Sequence, residues 1–245
     1  MPRKEHKKLY VIGIIIVAGL FIAGLASFTL FGARFISYFE YHYDDSLYST
    51  PNHRKLKDSD SSKGTFFSIY GYSVRLPWIN VLNEIDTAHL AGLVFESGQV
   101  FQVHHPAKVV DWYTELNKYE NNFIIQKLIK AFGPGCCSTN YDIVSLILNA
   151  SPEDLSLFQS VVKSEAIRIL MTYKAMYVSE NPKKLFYYET GRLKAFQVGV
   201  PAENDTIKLI IFPDNMTELI VDIHTGKEKL RQEQVDQVVS TFKRE

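Results

Sequence analysis

Residues 9–33 read LYVIGIIIVAGLFIAGLASFTLFGA, a run of 25 residues without one charged side chain. At 1.5 Å rise per residue, a helix of that length covers about 37 Å, enough for a ~30 Å hydrocarbon core with some tilt. A helix buried in a water-soluble core is normally shorter and does not stand behind a cationic tip. The run therefore predicts a transmembrane signal-anchor helix that includes Leu9, Gly19, Ala23 and Phe31, with the lipid bilayer as its first partner.

Charge fixes the expected orientation. Arg3, Lys4, Lys7 and Lys8 against Glu5 leave residues 1–8 at +3. The whole chain balances 27 basic against 27 acidic residues, so everything after the tip carries −3. The positive-inside rule keeps residues 1–8 cytoplasmic and places the C-terminal part extracytoplasmic, on the periplasmic side if the host is bacterial. A mildly acidic remainder argues against nucleic acid as a partner, because phosphate neutralisation needs a basic excess.

Cleavage as a signal peptide is the competing fate of the run. Gly24, Leu25 and Ala26 before Ser27 fit a small-residue cleavage site. The apolar stretch continues through Phe28, Thr29, Leu30 and Phe31, past the ~7–15 residues of a signal h-region, which favours a retained anchor. Gly19, Ala23 and Ser27 form a small-residue stripe through which two such helices can approach as a homodimer; small residues are common in such helices, and plain lipid contact is the favoured account. Phe35, Tyr38, Phe39, Tyr41 and Tyr43 follow as an interfacial collar.

Residues 49–64, STPNHRKLKDSDSSKG, are nearly free of apolar side chains and read as a linker. The expected division is thus a tip (1–8), an anchor (9–33), a collar and linker (34–64), and a folded domain over 65–245. Alternation around Tyr70-Gly71 and around Ser97-Gly98 predicts two hairpins. Helical spacing follows over 107–119, 123–132 and 143–150. Ser151-Pro152-Glu153-Asp154 then begins what reads as a helix of about six turns, with a break near Ser164 as the alternative. Four strands over 185–190, 192–200, 205–212 and 218–223 suit an antiparallel meander, and a helix bearing Val235, Val238, Val239 and Phe242 on one face closes the chain. The expected class is α+β, one antiparallel-sheet/helix sandwich behind the membrane helix. This order of elements resembles that of PsbP-like domains in architecture, without a shared motif, and implies nothing about function.

The search for chemistry yields few candidates. Ser160 and Lys163 match an S-x-x-K pattern, in which the lysine can activate a serine nucleophile. The companion elements stand in the wrong chain order, so helix-surface positions explain the pair better. His104 and His105, with His89 or Asp86, are the leading metal candidates; neighbours on a strand point to opposite faces, so they do not readily share one ion. No nucleotide-binding loop, serine elbow or zinc-protease motif occurs, and no cofactor is expected. Cys136 and Cys137 are the only cysteines, and three states stay open for them: a strained vicinal disulfide, intermolecular bridges, or two thiols; a structural or incidental role is favoured over a redox or ligand-sensing one. Tyr70, Tyr72, Trp78, Phe186, Tyr187 and Tyr188 form the candidate binding surface, with sheet packing as the alternative. The functional expectation is a membrane-anchored binding protein without enzymatic activity, in envelope assembly or as an inhibitor or immunity factor, acting on an unidentified protein partner. The rival is an envelope hydrolase with a site at Ser160/Lys163 or His104/His105.

Overall fold

The strand at residues 206–212 reads TIKLIIF, an apolar run too dense for a sheet with one wet face. Because side chains alternate along a strand, Ile207, Leu209 and Ile211 point one way while Ile210 and Phe212 point the other. Both faces must therefore be covered, and the fold supplies two covers. The computed structural model describes residues 20, 45–56, 63–106, 109, 123–156, 160–178 and 184–245.

The strands are β1 (Pro51–His53), β2 (Thr65–Ile69), β3 (Tyr72–Leu76), β4 (Val81–Asp86), β5 (Leu90–Phe95), β6 (Val100–His104), β7 (Leu185–Glu189), β8 (Lys194–Val198), β9 (Thr206–Phe212), β10 (Leu219–His224) and β11 (Lys243–Arg244). The described helices are α1 (Phe123–Phe132), α2 (Asn140–Asn149), α3 (Val161–Tyr177) and α4 (Gln232–Thr241). Eight strands form one sheet in the order β1-β7-β8-β9-β10-β6-β5-β4, and β11-β3-β2 form a second. The class is α+β, but the large sheet is mixed rather than antiparallel throughout, because β1 runs parallel to β7.

One face of the large sheet packs Phe196, Val198, Ile210 and Phe212 against α1, α2 and α3 through Ile125, Leu128, Ile143, Ile147, Ile167 and Leu170. The other packs Phe95, Phe101, Val103, Leu209, Val221 and Ile223 against α4 and the small sheet through Val235, Val238, Val239, Phe242, Val74 and Leu76. Each such side chain, fully buried, contributes about 1.5–3 kcal/mol of transfer free energy, before the entropy of ordering it is subtracted.

The expected hairpins, the meander and the closing helix are present. At the first hairpin, Tyr70 (φ 51) and Gly71 (φ 78) both take the left-handed conformation of a two-residue turn. α1 covers 123–132 as expected and ends at Gly133, whose φ of +97 lets its N–H reach the Ile129 carbonyl at 2.8 Å. The expected helix over 107–119, apart from Val109, the anchor over 9–33, apart from Leu20, and the aromatic collar at 35–43 lie outside the described residues.

Two expectations require correction. The six-turn helix from Ser151 is two elements. Ser151 and Asp154 form their capping box, but it closes a single 3-10 turn over Pro152–Asp154. The chain then extends at Leu155, and α3 starts afresh under a second cap, Ser160. The break falls between Leu155 and Ser160, not near Ser164, which lies inside α3.

The second concerns residues 49–64, expected as linker. β1 lies within them and pairs Pro51, Asn52 and His53 with Leu185, Phe186 and Tyr187. Just before it, Leu47 is buried in the helix-side core. The folded body thus includes residues 45–56. These are held by backbone pairing and by two charged side chains, neither of which leaves an apolar pattern in the sequence.

Candidate functional site

Under the β7–β8 hairpin, the chain buries a connected polar group. Asp236 on α4 is 2 % exposed and accepts from Arg54 Nε at 2.8 Å and Nη2 at 2.6 Å. The same carboxylate accepts from the Tyr188 hydroxyl at 3.2 Å and from Gln232 Nε2 at 3.2 Å. Gln197 joins through the Tyr188 hydroxyl and Gln232. Burial, then the Asp236 charge, pushes the Tyr188 hydroxyl well above its ordinary value, so it stays a proton donor at any ordinary pH. Arg54 lies 5.5 Å from the Phe186 ring centroid. The donors and acceptors are matched inside the fold, and the group is a structural lock.

A second polar group lies on the part of the sheet beside the helix layer. Lys208 on β9, Asp222 on β10 and Gln102 on β6 stand in one register row. His104 Nε2 meets Asp222 Oδ2 at 2.7 Å, with side-chain exposures of 37 % and 16 %. His224 bridges Thr206 Oγ1 at 2.9 Å and Gln102 Oε1 at 3.2 Å. The other Asp222 oxygen, Oδ1, is buried and has no hydrogen-bond partner among the described residues. A histidine–carboxylate pair can hold a proton, but nucleophilic catalysis also needs a hydroxyl or thiol on the free imidazole nitrogen. Among the described residues, the His104 side chain meets Asp222 alone.

His105 diverges from its neighbour, its ring 4.7 Å from that of Tyr70. His89 offers its backbone carbonyl to the His105 N–H at 2.8 Å, and its side chain and that of Asp86 are exposed. The four residues do not converge. Among the described residues, no group of three or more His, Cys, Asp or Glu side chains is placed to hold a metal ion.

Ser160 and Lys163 are exposed. The serine Oγ accepts from the Lys163 backbone N–H at 3.3 Å, so the polar pattern is an N-cap for α3.

The expected aromatic surface is dispersed. Tyr72, Trp78 and Tyr188 are at most 8 % exposed and belong to the core, and Tyr70 and Phe186 pack against that same core from its margin. Tyr187 faces the opposite layer, where its hydroxyl meets that of Tyr141 at 3.2 Å. Alternation along β7 separates Tyr187 from both its neighbours. The surface expected from these six residues gives way to packing on a sheet covered on both sides.

No family model, curated protein or solved structure matches the chain. The likeness to PsbP-like domains therefore rests on the order of elements alone.

What the sequence reading missed is β4, the outermost strand of the large sheet at the edge opposite β1. It pairs with β5 on one side, and its register shifts between Val81 and Asn83. Ile79, Val81 and Leu82 are exposed there at 64 %, 40 % and 67 %, with acidic Glu84 and Asp86 following. Among the described residues its other side has no strand partner, and an open, partly apolar edge is a surface that natural proteins cover or use. The irregular register and the acids blunt self-pairing without hiding the apolar side chains. The available signal was the β-branched pair Val81 and Ile85 on one strand parity, broken by Asn83 between them and by Leu82 on the other face.

Proposed function

We propose that this chain is a single-pass membrane protein, N-terminus cytoplasmic, whose extracytoplasmic α+β domain binds a protein partner through the face around β4. The observation that carries the reading is the exposure of Val81 and Leu82 on β4, and of Ile79 just before it, where β4 pairs on one side only among the described residues. Edge strands recruit partners by main-chain pairing, with neighbouring apolar side chains adding selectivity.

The position of that edge supports the reading. β1, nearest in sequence to the anchor, lies at the other end of the eight-strand order. Seven strand spacings separate them, about 34 Å along the sheet. Residues 34–44 can reach at most about 40 Å from the anchor to the folded body, so the domain stays near the bilayer with β4 remote from its tether. The uncharged run at 9–33 and the +3 tip support the topology. Such a module suits envelope assembly or an inhibitor or immunity role. No described helix is long and apolar enough to cross a membrane, and the run at 9–33 falls outside the described residues apart from Leu20.

Photo-crosslinking of the full chain in its native membrane tests the reading. A photoreactive residue at Leu82 is expected to give one discrete adduct, and the same group at exposed Glu203 none. Equal labelling from both positions, or none from Leu82, would overturn it. Protease applied from the side opposite the basic tip should digest the domain, and full protection would overturn the orientation.

A further inference from the structure

Cys136 and Cys137 sit in the turn that joins α1 to α2, after Gly133 and before the α2 cap Thr139. Their sulfurs are 2.9 Å apart. The two thiols differ in environment. Cys137 is 4 % exposed and belongs to the helix-side core, whereas Cys136 is half-buried and packs at its margin. The approach to Cys136 is open: Pro134, Gly135 and Ser138 are exposed, and a Cβ built at Gly135 would meet nothing within 4 Å.

We propose that this pair is a thiol–disulfide redox site that reacts with low-molecular-weight disulfides, with Cys136 as the entry thiol and Cys137 as the resolving thiol. The Cys136 thiolate attacks one sulfur of an external disulfide, its own S–S bond forms, and the leaving thiolate departs and takes up the proton given up by Cys136. The Cys137 sulfur, already beside Cys136, then attacks the Cys136 sulfur. The second external thiolate leaves with the Cys137 proton. The dithiol is oxidised by two electrons and loses two hydrogens, and one external disulfide becomes two thiols.

The order of attack follows from the environments. Burial, and next the Cys136 thiol beside it, pushes the Cys137 thiol up, so Cys137 is a poor first nucleophile towards anything in solvent. As second nucleophile it needs no access to solvent, because its target is its neighbour. Adjacent residues hold their Cα atoms ~3.8 Å apart, below the ~4.4–6.8 Å usual for disulfides, so the oxidised ring is strained and readily reduced again. That favours a reversible site over a permanent staple. The turn that carries the pair leads directly into α2, capped by Thr139. The first residues of α2 hold the β9–β10 connection, with Asn140 Nδ2 on the Met216 carbonyl at 2.9 Å and the Tyr141 N–H on the Asn215 carbonyl at 3.1 Å.

The site is tested on the reduced full chain in detergent with oxidised glutathione, followed by acid quench, alkylation and peptide mass mapping. The wild type is expected to lose two hydrogens in the Cys136–Cys137 peptide and to remain a monomer on a non-reducing gel. C137S should trap glutathione on Cys136, and C136S should react at least ~10-fold more slowly. C137A repeats the trapping test without a buried hydroxyl, and circular dichroism checks that each variant is folded. Equal rates for C136S and C137S would overturn the proposal. So would a wild type that accumulates glutathione adducts or crosslinked dimers in place of the internal ring. Neither result depends on topology or on a partner.

Discussion

Lys174 and Leu47 meet in the interior, where the lysine ammonium donates to the Leu47 carbonyl at 2.9 Å across 127 residues of sequence. The same ammonium donates to the carbonyls of Ser49 at 2.6 Å and Ala150 at 2.5 Å, so its three protons have three acceptors. Lys174 has no exposed surface. Together with Arg54 on Asp236, it binds the segment that follows the expected anchor to the body of the domain, at α3 by one charge and at α4 by the other.

Replacing Lys174 by Met removes the donor and leaves buried carbonyls unmet, at a cost of about 2–4 kcal/mol. Hydrogen exchange should show residues 45–50 opening faster in this variant, with β9 and β10 still protected at the level of global unfolding. Unchanged exchange over 45–50 would mean that Lys174 does not hold the segment.

Lys174 also gives stability a pH dependence. Burial lowers its pKa from 10.5 to about 8, and the nearby Asp154 charge opposes that shift. Between these values the unfolded chain keeps the proton and the folded chain releases it, so this lysine's contribution to stability rises with pH. The limit is about 1.4 kcal/mol per pH unit. The stability difference between wild type and K174M, from urea unfolding at a series of pH values, should grow in favour of wild type from pH 8 towards 10. A flat or falling difference would contradict the assignment.

Arg54→Ala leaves the Asp236 carboxylate without its counter-charge, with Tyr188 and Gln232 as its remaining donors; the Asp236 side chain is 3 % exposed and that of Arg54 25 %. Loss of a partner from a buried pair costs about 3–5 kcal/mol, and partial hydration of Arg54 places this one near the lower end. Asp236→Asn leaves the wetter partner alone and should cost less, about 1–2 kcal/mol. The denaturation midpoints should therefore rank wild type, then D236N, then R54A. The reverse ranking would mean that the network, rather than the charge, carries the energy.

A methyl group at Gly92 would lie 2.0 Å from the Phe101 carbonyl oxygen and 2.9 Å from Gln102 Cα, both backbone atoms of the adjoining strand. Gly92→Ala must part β5 from β6 and is expected to cost at least about 1–3 kcal/mol. Gly191→Ala meets open space and should stay within about 0.5 kcal/mol of wild type. Thermal melts of the two variants check both values.

Ser160→Ala tests the cap against the nucleophile. Loss of the bond to the Lys163 N–H should cost about 1 kcal/mol, and Ser160→Asp should restore it, since aspartate also caps. A hydrolase nucleophile would behave otherwise, because aspartate would not restore activity on an acyl ester. Urea unfolding of the three proteins, with an ester assay beside it, separates the two roles.

Much of the fold was legible from local pattern. The β7–β10 meander, the Tyr70-Gly71 turn, the stop at Gly133 and the apolar face of α4 each follow from residues a few positions apart. The break before Ser160 did not, since two adequate caps and continued helical spacing describe one helix or two. Nor did β1: Pro51, Asn52 and His53 carry no strand signal, and their order comes from the β7 backbone more than 130 positions away.

The candidate sites divide in the same way. Adjacency alone brought Cys136 and Cys137 to notice, but the difference between them comes from which one enters the core. Composition marked the Tyr and Phe residues as interface material, and two covering layers turned most of them into packing. By itself the sequence determined the charge asymmetry around an uncharged run of 25 residues, and which segments could form strands or helices. Both are properties of neighbours along the chain. The tertiary structure alone decided that Asp222 meets His104, that Lys174 and Arg54 hold the segment after the expected anchor, and that β4 is the outermost of the described strands. Those outcomes depend on strand order and layer assignment, where the partners are distant in sequence and their energy exists only once the chain has closed around them.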